Sequence, residues 1–212
     1  GCDRPDTRFM PLLWPAVRNG NVVSVLASPP PPWPKEVADL FFYENLEDVI
    51  LVGTSSGGII ISKAAELARK KIRHLVYIDA LAPQPGETVA DIVIRGPNPE
   101  PYEETEFASG PSQEGMSARL FADLEPKLKK WALDRATLHP KGASAANLDK
   151  FWAQNWLATV IYCTDSLNAS EAYQRCTKEK LHAYWHAIDA GHCPMLSHSD
   201  KTARLLMEEI SR

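Results

Sequence analysis

A serine lies at the centre of the sequence Gly-Thr-Ser-Ser-Gly, which spans residues 53 to 57. A continuous apolar run, Val49 to Val52, precedes it, and residues 59–70 follow with helical periodicity and no internal glycine or proline. Glycines two before and two after a serine leave room for a sharp turn from a strand into a helix, with the hydroxyl exposed at the turn. The pattern predicts Ser55 as a strained nucleophile, with the helix N-terminus directed at an oxyanion beside it.

The neighbouring Ser56 is the other hydroxyl in this motif. If the motif were centred on Ser56, Thr54 would stand where the first glycine belongs, and its side chain fits the turn poorly. Ser55 is therefore the preferred nucleophile. A glycine-rich turn in another kind of doubly wound protein stays the alternative interpretation of this stretch.

A serine hydroxyl needs a base within hydrogen-bond reach before it can act as a nucleophile at neutral pH. The chain has six histidines. His192 follows a predicted strand and lies in a loop, where its side chain can project over the carboxyl edge of a sheet. The others lie in or beside strands, in an insertion or before the last helix, and we interpret them as structural: His74, His139, His182, His186 and His198.

The base is usually oriented by a carboxylate, and two aspartates have suitable places for this role. Asp79 ends one predicted strand, and Asp165 follows another strand that ends at Cys163. Both lie between the serine and the histidine in chain order, and both are expected at the carboxyl edge of the sheet. Asp189 is too near His192 in the chain to approach it from an independent strand. The spacing alone leaves both aspartates open.

The elements that must position these residues alternate between strands and helices. Strands are predicted at 22–26, 49–52, 74–79, 158–163 and 183–189. Such alternation predicts an α/β fold with a mostly parallel sheet flanked by helices.

Between the third and fourth predicted strands lies a segment at about 83–140, which we call the cap. It begins rich in Pro, Gly and Glu and becomes helical over 116–137, with a break near Pro126. A length of 212 residues suits one domain, 1–212, that carries this small helical cap as an insertion.

Composition argues against several classes of partner. The formal net charge is −4, and nothing concentrates Lys and Arg on one segment, which excludes nucleic acid and anionic membranes as expected partners. No apolar run reaches the roughly 18 residues of a membrane span. The four cysteines form no C-x-x-C pair, so no metal site is expected. We predict a soluble, cytoplasmic protein with reduced thiols, and the sequence leaves a homodimer open.

Four stretches together resemble the α/β-hydrolases of the esterase branch, a group of plant methylesterases, hydroxynitrile lyases and bacterial small-ester hydrolases. They are residues 51–58, 74–83, 162–165 and 189–196. The resemblance runs from about Leu46 to the end of the chain. It implies an α/β-hydrolase fold, Ser55 as nucleophile, His192 as base and the backbone amide of Ser56 as one oxyanion donor. It also implies a small-molecule ester as substrate and no cofactor.

The chain departs from this family pattern at two places in the candidate site. Relatives usually have a histidine before the nucleophile, where this chain has Thr54. Their acid typically follows the later strand in a Cys-Thr-x-Asp pattern, whose last place here is Ser166, with Asp165 one residue earlier. Asp79 matches a pattern that is usually not the acid. The resemblance therefore favours Asp165 as the triad acid, with Asp79 as the alternative.

A third departure concerns the start of the chain. Relatives begin with a strand and a His-Gly loop that supplies the second oxyanion amide, and no such strand precedes Gly1. The predicted helix at 9–20 and strand at 22–26 resemble the elements that follow this loop. We therefore expect reduced or missing N-terminal strands.

The leading hypothesis is a serine hydrolase that cleaves carboxylic esters through an acyl-enzyme. Hydroxynitrile lyase or lactonase chemistry on the same fold is one alternative. The lysines of the predicted cap, Lys127, Lys129 and Lys130, could assist it, but their clustering fits a solvated face better. A relative that binds a small ligand without catalysis is the other alternative.

Overall fold

The computed structural model describes residues 33–93, 102–106, 108–140 and 147–210. The helix predicted at 9–20 and the strand predicted at 22–26 lie outside these residues, and so does the expected reduction of the N-terminal strands. Among the described residues, no helix is long and apolar enough to cross a membrane.

The strands and helices alternate along most of the chain. The strands are β1 (Val49–Ser55), β2 (Ile72–Ala80), β3 (Tyr102–Glu104), β4 (Ala108–Pro111), β5 (His139–Pro140), β6 (Ala158–Cys163) and β7 (Tyr184–Ile188). The helices are α1 (Trp33–Tyr43), α2 (Gly57–Leu67), α3 (Val89–Ile92), α4 (Gln113–Gly115), α5 (Pro126–Leu133), α6 (Asp149–Trp152), α7 (Glu171–Leu181), α8 (Pro194–Ser197) and α9 (Ser199–Ile210). A 3₁₀ turn covers Arg69–Lys71 and a π-helical turn covers Met116–Leu120.

The main sheet has the strand order β1-β2-β6-β7, and every neighbouring pair is parallel. The predicted parallel sheet flanked by helices is confirmed. Strand β2 lies inside the sheet, and residues 74–80 are all buried. Successive side chains of a strand point to opposite faces, so a strand covered on both faces needs apolar residues at nearly every position. This explains the continuous apolar run of β2.

Helices cover both faces of the sheet. On one face, Leu75 and Tyr77 of β2 belong to a core that includes Ile59 and Ala64 of α2. On the other face, the alternate β2 residues Val76 and Ile78 pack in a second cluster, against which Leu205 and Leu206 of α9 lie. The core therefore fixes the register of the strands, and with it the positions of the residues at the carboxyl edge.

A buried polar network lies near the amino ends of β2 and β6. His74 Nε2 is 2.9 Å from Thr159 Oγ1, and this hydroxyl donates to Glu209 Oε2 of α9 over 2.7 Å. His186 Nε2 lies 3.0 Å from the other carboxylate oxygen of Glu209. Two of the histidines interpreted as structural thus connect the sheet to its last helix, and His74 does so at the end of the sheet opposite to Ser55.

The cap lies between β2 and β6 and is more varied than the predicted helical insertion. It contains an antiparallel sheet of order β3-β4-β5. The stretch 116–137, predicted as one helix broken near Pro126, contains the π-helical turn and α5, and α4 lies directly before it. Pro126 starts α5 because it lacks an N–H and suits the first turn, and the Glu125 side chain caps the same end by accepting from Leu128 N over 2.9 Å.

The packing of α2 against the end of β2 predicts different costs for two adjacent glycines. A β-carbon on Gly58 would lie 2.3 Å from the carbonyl oxygen of Leu81, whereas one on Gly57 would have nothing within 4 Å. We expect Gly58→Ala to lower the free energy of unfolding by about 1–3 kcal/mol through overpacking. Gly57→Ala should change it by less than about 1 kcal/mol, because alanine is the better helix former. Urea unfolding of both variants measures this, and equal values would contradict the packing.

Candidate active site

Ser55 is the last residue of β1 and has a left-handed backbone conformation, with φ of +53°. Its neighbour Ser56 has φ of −58° and ψ of −17°, and α2 begins at Gly57. For a residue with a β-carbon, the left-handed region costs roughly 1–2 kcal/mol, so the surrounding structure must impose it. The motif thus forms a sharp strand-to-helix turn with the strained serine at its apex.

The predicted requirement for glycine on both sides of Ser55 is confirmed at Gly53 but not at Gly57. A β-carbon on Gly53 would lie 2.7 Å from the carbonyl oxygen of Gly57, so a glycine is needed before the serine, as the motif implies. The corresponding expectation for Gly57 is wrong, because that position is open. The second tight position is Gly58, which faces the end of β2. The turn therefore depends on close approaches at Gly53 and Gly58.

A bulge in β2 lies directly beside this turn. Thr54 pairs with Ile78 and Ser55 pairs with Ala80, which leaves Asp79 as an extra residue. Asp79 has φ of +44°, and the amide of Leu81 donates to the carbonyl oxygen of Ser55 over 2.9 Å. An extra residue in a strand breaks its alternation and turns a side chain to a new direction.

Asp79 and His192 form a buried pair. His192 Nδ1 lies 2.6 Å from Asp79 Oδ2, and a carboxylate only accepts, so Nδ1 carries the proton. Asp79 is 0% exposed and His192 is 4% exposed. This contact fixes the tautomer of the ring and leaves Nε2 as the nitrogen that can accept a proton.

Two residues of the loop between β6 and α7 hold Asp79 in place. Ser166 Oγ donates to Asp79 Oδ2 over 2.5 Å, which is the same oxygen that binds His192. Asn168 Nδ2 donates to the backbone carbonyl of Asp79 over 3.0 Å, and its own amide donates to Ser166 Oγ over 3.1 Å. Both side chains are buried. A buried carboxylate requires such donors, because burial without them is costly.

The preference for Asp165 as the partner of His192 is corrected by this geometry. The Asp165 side chain is exposed, and its Oδ1 accepts from the hydroxyl of Thr164 over 3.2 Å. The next residue, Ser166, points inward and contacts Asp79. In this loop the buried side chain is that of Ser166, so the one-residue offset from the family pattern leaves Asp165 exposed. The alternative, Asp79, occupies the place beside His192.

The remaining predicted residues lie at the same edge of the sheet. Ser55 ends β1, and His192 follows β7. Within the described residues, no hydrogen bond uses the Ser55 hydroxyl or the Ser56 amide. Catalytic hydrogen bonds often form only when substrate is bound, and an oxyanion donor must be unoccupied beforehand. Thr54, where relatives have histidine, has a buried hydroxyl without a partner in the described part of the chain.

Ser166 and Asn168 were missed as contributors to the site by sequence reasoning. The available signal was that Ser166 occupies the last place of the Cys-Thr-x-Asp pattern. In the structure the side chain at that place contacts Asp79, the partner of His192. No comparable signal identified Asn168.

Two cysteines near the site are poor nucleophiles. Burial raises the pKa of the Cys193 thiol to about 12, and the nearby carboxylates of Asp123 and Asp79 add to this. Burial likewise raises the pKa of Cys163, with Asp79 contributing next. Because the thiolate is the reactive form, neither thiol is a good candidate nucleophile. In the described part of the chain, no group of three His, Cys, Asp or Glu residues could hold a metal ion.

The fold agrees with the comparisons with known proteins. The model of the alpha/beta hydrolase family matches residues 7–205, and the chain therefore belongs to this family.

Two relatives and two solved structures illustrate the similarity. The α/β-hydrolase nvfD of Aspergillus novofumigatus is 28% identical over 207 residues, which cover 88% of this chain and 82% of the relative. A carbendazim-hydrolysing esterase of Nocardioides is 44% identical over 57 residues, which cover 27% of this chain and 24% of the esterase.

The first of the two solved structures is an extracellular α/β-hydrolase of a Paenibacillus species, described as sharing structural and functional homology to tobacco salicylic acid binding protein 2. It has a TM-score of 0.68 at 19% identity and covers 82% of this chain and 77% of that one. An Arabidopsis methylesterase has a TM-score of 0.63 at 16% identity and covers 84% and 74% of the two chains.

The raised pKa of Cys193 predicts slow alkylation of this half-buried residue. A rise from 9.0 to about 12 keeps the thiol protonated, so at pH 8 its thiolate fraction falls about a thousandfold, by a factor of ten for each pKa unit. The reaction rate should rise with pH up to the folded pKa. Peptide mapping after brief iodoacetamide treatment at pH 8 should find Cys193 modified in urea but not in the native protein. Equal modification in both states would contradict the pKa shift.

Proposed function

We propose that the protein is a serine hydrolase that cleaves carboxylic esters through an acyl-enzyme. The observation that carries the proposal is the buried Asp79–His192 pair at the sheet edge where the strained Ser55 ends β1. A base with a fixed tautomer and a half-buried serine at a sharp turn, at the same edge of the sheet, are the groups that nucleophilic acyl transfer requires.

The reaction has two balanced halves. The Ser55 oxygen attacks the acyl carbon while His192 Nε2 takes the hydroxyl proton, and His192 then gives this proton to the departing alcohol. In the second half, a water molecule loses its proton to Nε2 and attacks the acyl-enzyme. The proton returns to the Ser55 oxygen as the acid is released. Asp79 holds the ring and stabilises the imidazolium that forms twice in each cycle.

The oxyanion that forms at the acyl carbon lies next to the first turn of α2 in this proposal. The Ser56 amide precedes this helix and donates no hydrogen bond within the described residues. The partial positive charge of a helix N-terminus adds to its effect. Loss of one oxyanion donor in other hydrolases costs about 10²–10³ in rate, so this amide is an essential part of the mechanism.

The class of substrate in this proposal is supported by the relatives. A partial match to a carbendazim-hydrolysing esterase and the fold shared with an Arabidopsis methylesterase favour an ester carbonyl as the reacting group. We expect small or medium hydrophobic esters. Two of the cap lysines give no support to lyase chemistry, because Lys129 donates to the carbonyls of Ser117 and Ala122, and Lys130 pairs with Asp134. The third, Lys127, is exposed, which fits a solvated face.

Single substitutions test the assignment of the three residues. With p-nitrophenyl acetate, Ser55→Ala should abolish turnover, and Asp79→Asn should lower kcat by about 10³–10⁴, because the amide favours the wrong tautomer of His192. Asp165→Asn should stay within about twofold of the parent, since its side chain is exposed. A fluorophosphonate probe should label Ser55 only while His192 is intact. Full activity of Ser55→Ala, or a larger loss in Asp165→Asn than in Asp79→Asn, would refute the assignment.

The contact between Ser166 and Asp79 predicts that a carboxylate at position 166, in the loop after β6, can replace the carboxylate of Asp79. Ser166 Oγ lies 2.5 Å from the oxygen that binds His192, so an aspartate at 166 places a carboxylate close to His192 Nδ1. We expect Asp79→Asn/Ser166→Asp to recover at least about tenfold in kcat over Asp79→Asn alone, because the tautomer depends on where the carboxylate oxygen lies. The matched control is Asp79→Asn/Asp165→Glu, which should recover nothing. Equal kcat values for both double variants, with equal melting temperatures, would contradict the prediction.

A further inference from the structure

We propose that Arg119 and Asp123 of the cap are positioning residues that hold the two loops on either side of the Asp79–His192 pair. One loop carries His192, and the other carries Ser166 and Asn168. The proposal rests on the proposed function for the reaction it affects, whereas the contacts themselves are independent of that reaction.

Asp123 is hydrogen-bonded to the loop that carries His192. Its Oδ2 accepts from the amide of Gly191 over 2.9 Å, and Gly191 is the residue directly before His192. A β-carbon on Gly191 would lie 2.4 Å from Asp123 Oδ1, so this close approach of the carboxylate requires a glycine. A charged acceptor makes such a hydrogen bond stronger than a neutral one. The cap thus holds the backbone of the base at the residue next to it.

Arg119 is hydrogen-bonded to the loop that supports Asp79. Its Nε and Nη2 donate to the carbonyl oxygen of Leu167 over 3.2 Å and 2.9 Å, and Nη2 also lies 3.4 Å from the carbonyl oxygen of Asn168. These carbonyls directly follow Ser166, whose hydroxyl binds Asp79. The rigid fork of a guanidinium makes two donors converge on one carbonyl, which an ammonium cannot do.

Both contacts come from one short stretch of the cap. Arg119 lies in the π-helical turn Met116–Leu120, and Asp123 lies in the turn that follows it. Single π-helical turns are rare in proteins, but many of those that occur lie at functional sites. The wider turn changes the directions of side chains that an α-helix would align. Here the stretch sends one side chain to each of two loops, which are also joined by a backbone hydrogen bond of 3.1 Å from the Asp165 amide to the Ala190 carbonyl.

These contacts bear on how precisely the His192 side chain is positioned. Loops are the most mobile parts of a fold, and a misplacement of about 1 Å in a catalytic group can cost about 10²-fold in rate. A cap that is hydrogen-bonded to both loops fixes the distance between His192 and its acid. Removal of either contact should therefore lower kcat with little change in KM, because ground-state binding of the substrate does not use these contacts.

The experiment compares the positioning residues with cap residues of the same type. Asp123→Ala and Arg119→Ala are the test variants, and Asp123→Asn and Arg119→Lys are the conservative ones. Matched controls are Asp134→Ala, which removes the exposed carboxylate paired with Lys130, and Arg135→Ala, which removes the arginine stacked on Trp131. The readouts are kcat and KM on p-nitrophenyl acetate, melting temperature, and the ¹⁵N-histidine NMR signal of the His192 Nδ1 proton bound to Asp79.

We expect both test variants to lower kcat about tenfold or more, with KM within about twofold, and to broaden or shift the Nδ1 proton signal. Asp123→Asn should recover most of the effect, since its amide oxygen accepts the same bond. Arg119→Lys should recover only part, since it cannot make the forked contact. The controls should match the parent in all readouts. A loss in the test variants that appears only in melting temperature, with kcat and the NMR signal unchanged, would overturn the proposal.

The NMR readout separates this proposal from the proposed function. If the parent protein hydrolyses no ester and reacts with no fluorophosphonate probe, the proposed function fails. In that case, the loss of the Nδ1 proton signal in the test variants alone would still support the positioning role. An unchanged signal in both test variants would overturn the positioning role whether or not the parent is active.

Discussion

The buried hydrogen bond between Asp79 and His192 is the interaction on which the arrangement of the site depends. A fully buried carboxylate is tolerated only when donors compensate for its lost hydration. Asp79 meets this requirement through His192 and Ser166 on one oxygen, while Oδ1 has no partner among the described residues. Loss of either donor therefore leaves a buried charge poorly compensated. The loop that carries Ser166 is thus as important to the site as the strands that carry the reacting groups.

Two strained residues lie at the carboxyl ends of β1 and β2. Ser55 and Asp79 both have positive φ, and they lie at the register shift between the two strands. Each such conformation costs roughly 1–3 kcal/mol and persists only where its surroundings impose it. The buried apolar residues of β2 and the hydrogen bond from Leu81 to Ser55 supply that constraint. The core thus stabilises a local geometry that is unfavourable by itself but directs both side chains to the carboxyl edge.

Sequence reasoning predicted the elements whose pattern is repeated over many residues. The apolar runs of β1, β2 and β6 and the periodicity of α2 predicted the parallel sheet. The strand-turn-helix context predicted the sharp turn at Ser55, and the last strand predicted that His192 lies in a loop. Features that depend on a single residue were not predictable. A bulge at Asp79 reverses the direction of one side chain without any change in composition. The cap strands were missed because β3, β4 and β5 have two to four residues each, too few for an alternating pattern to appear.

The preference for Asp165 over Asp79 as the partner of His192 has a physical origin in the parallel sheet itself. Strands β2 and β6 are neighbours with parallel register, so the residues at their carboxyl ends emerge side by side. The convergence of Ser166 Oγ and Asp79 Oδ2 within 2.5 Å shows that side chains from both strands reach the same point. The orientation of the base depends on the position of the carboxylate oxygen and not on the strand that carries it. The family motifs therefore identify the strand ends from which the partner of His192 can come. The choice between them depends on the one-residue bulge at Asp79 in β2 and on the position of Asp165, one residue before Ser166, after β6.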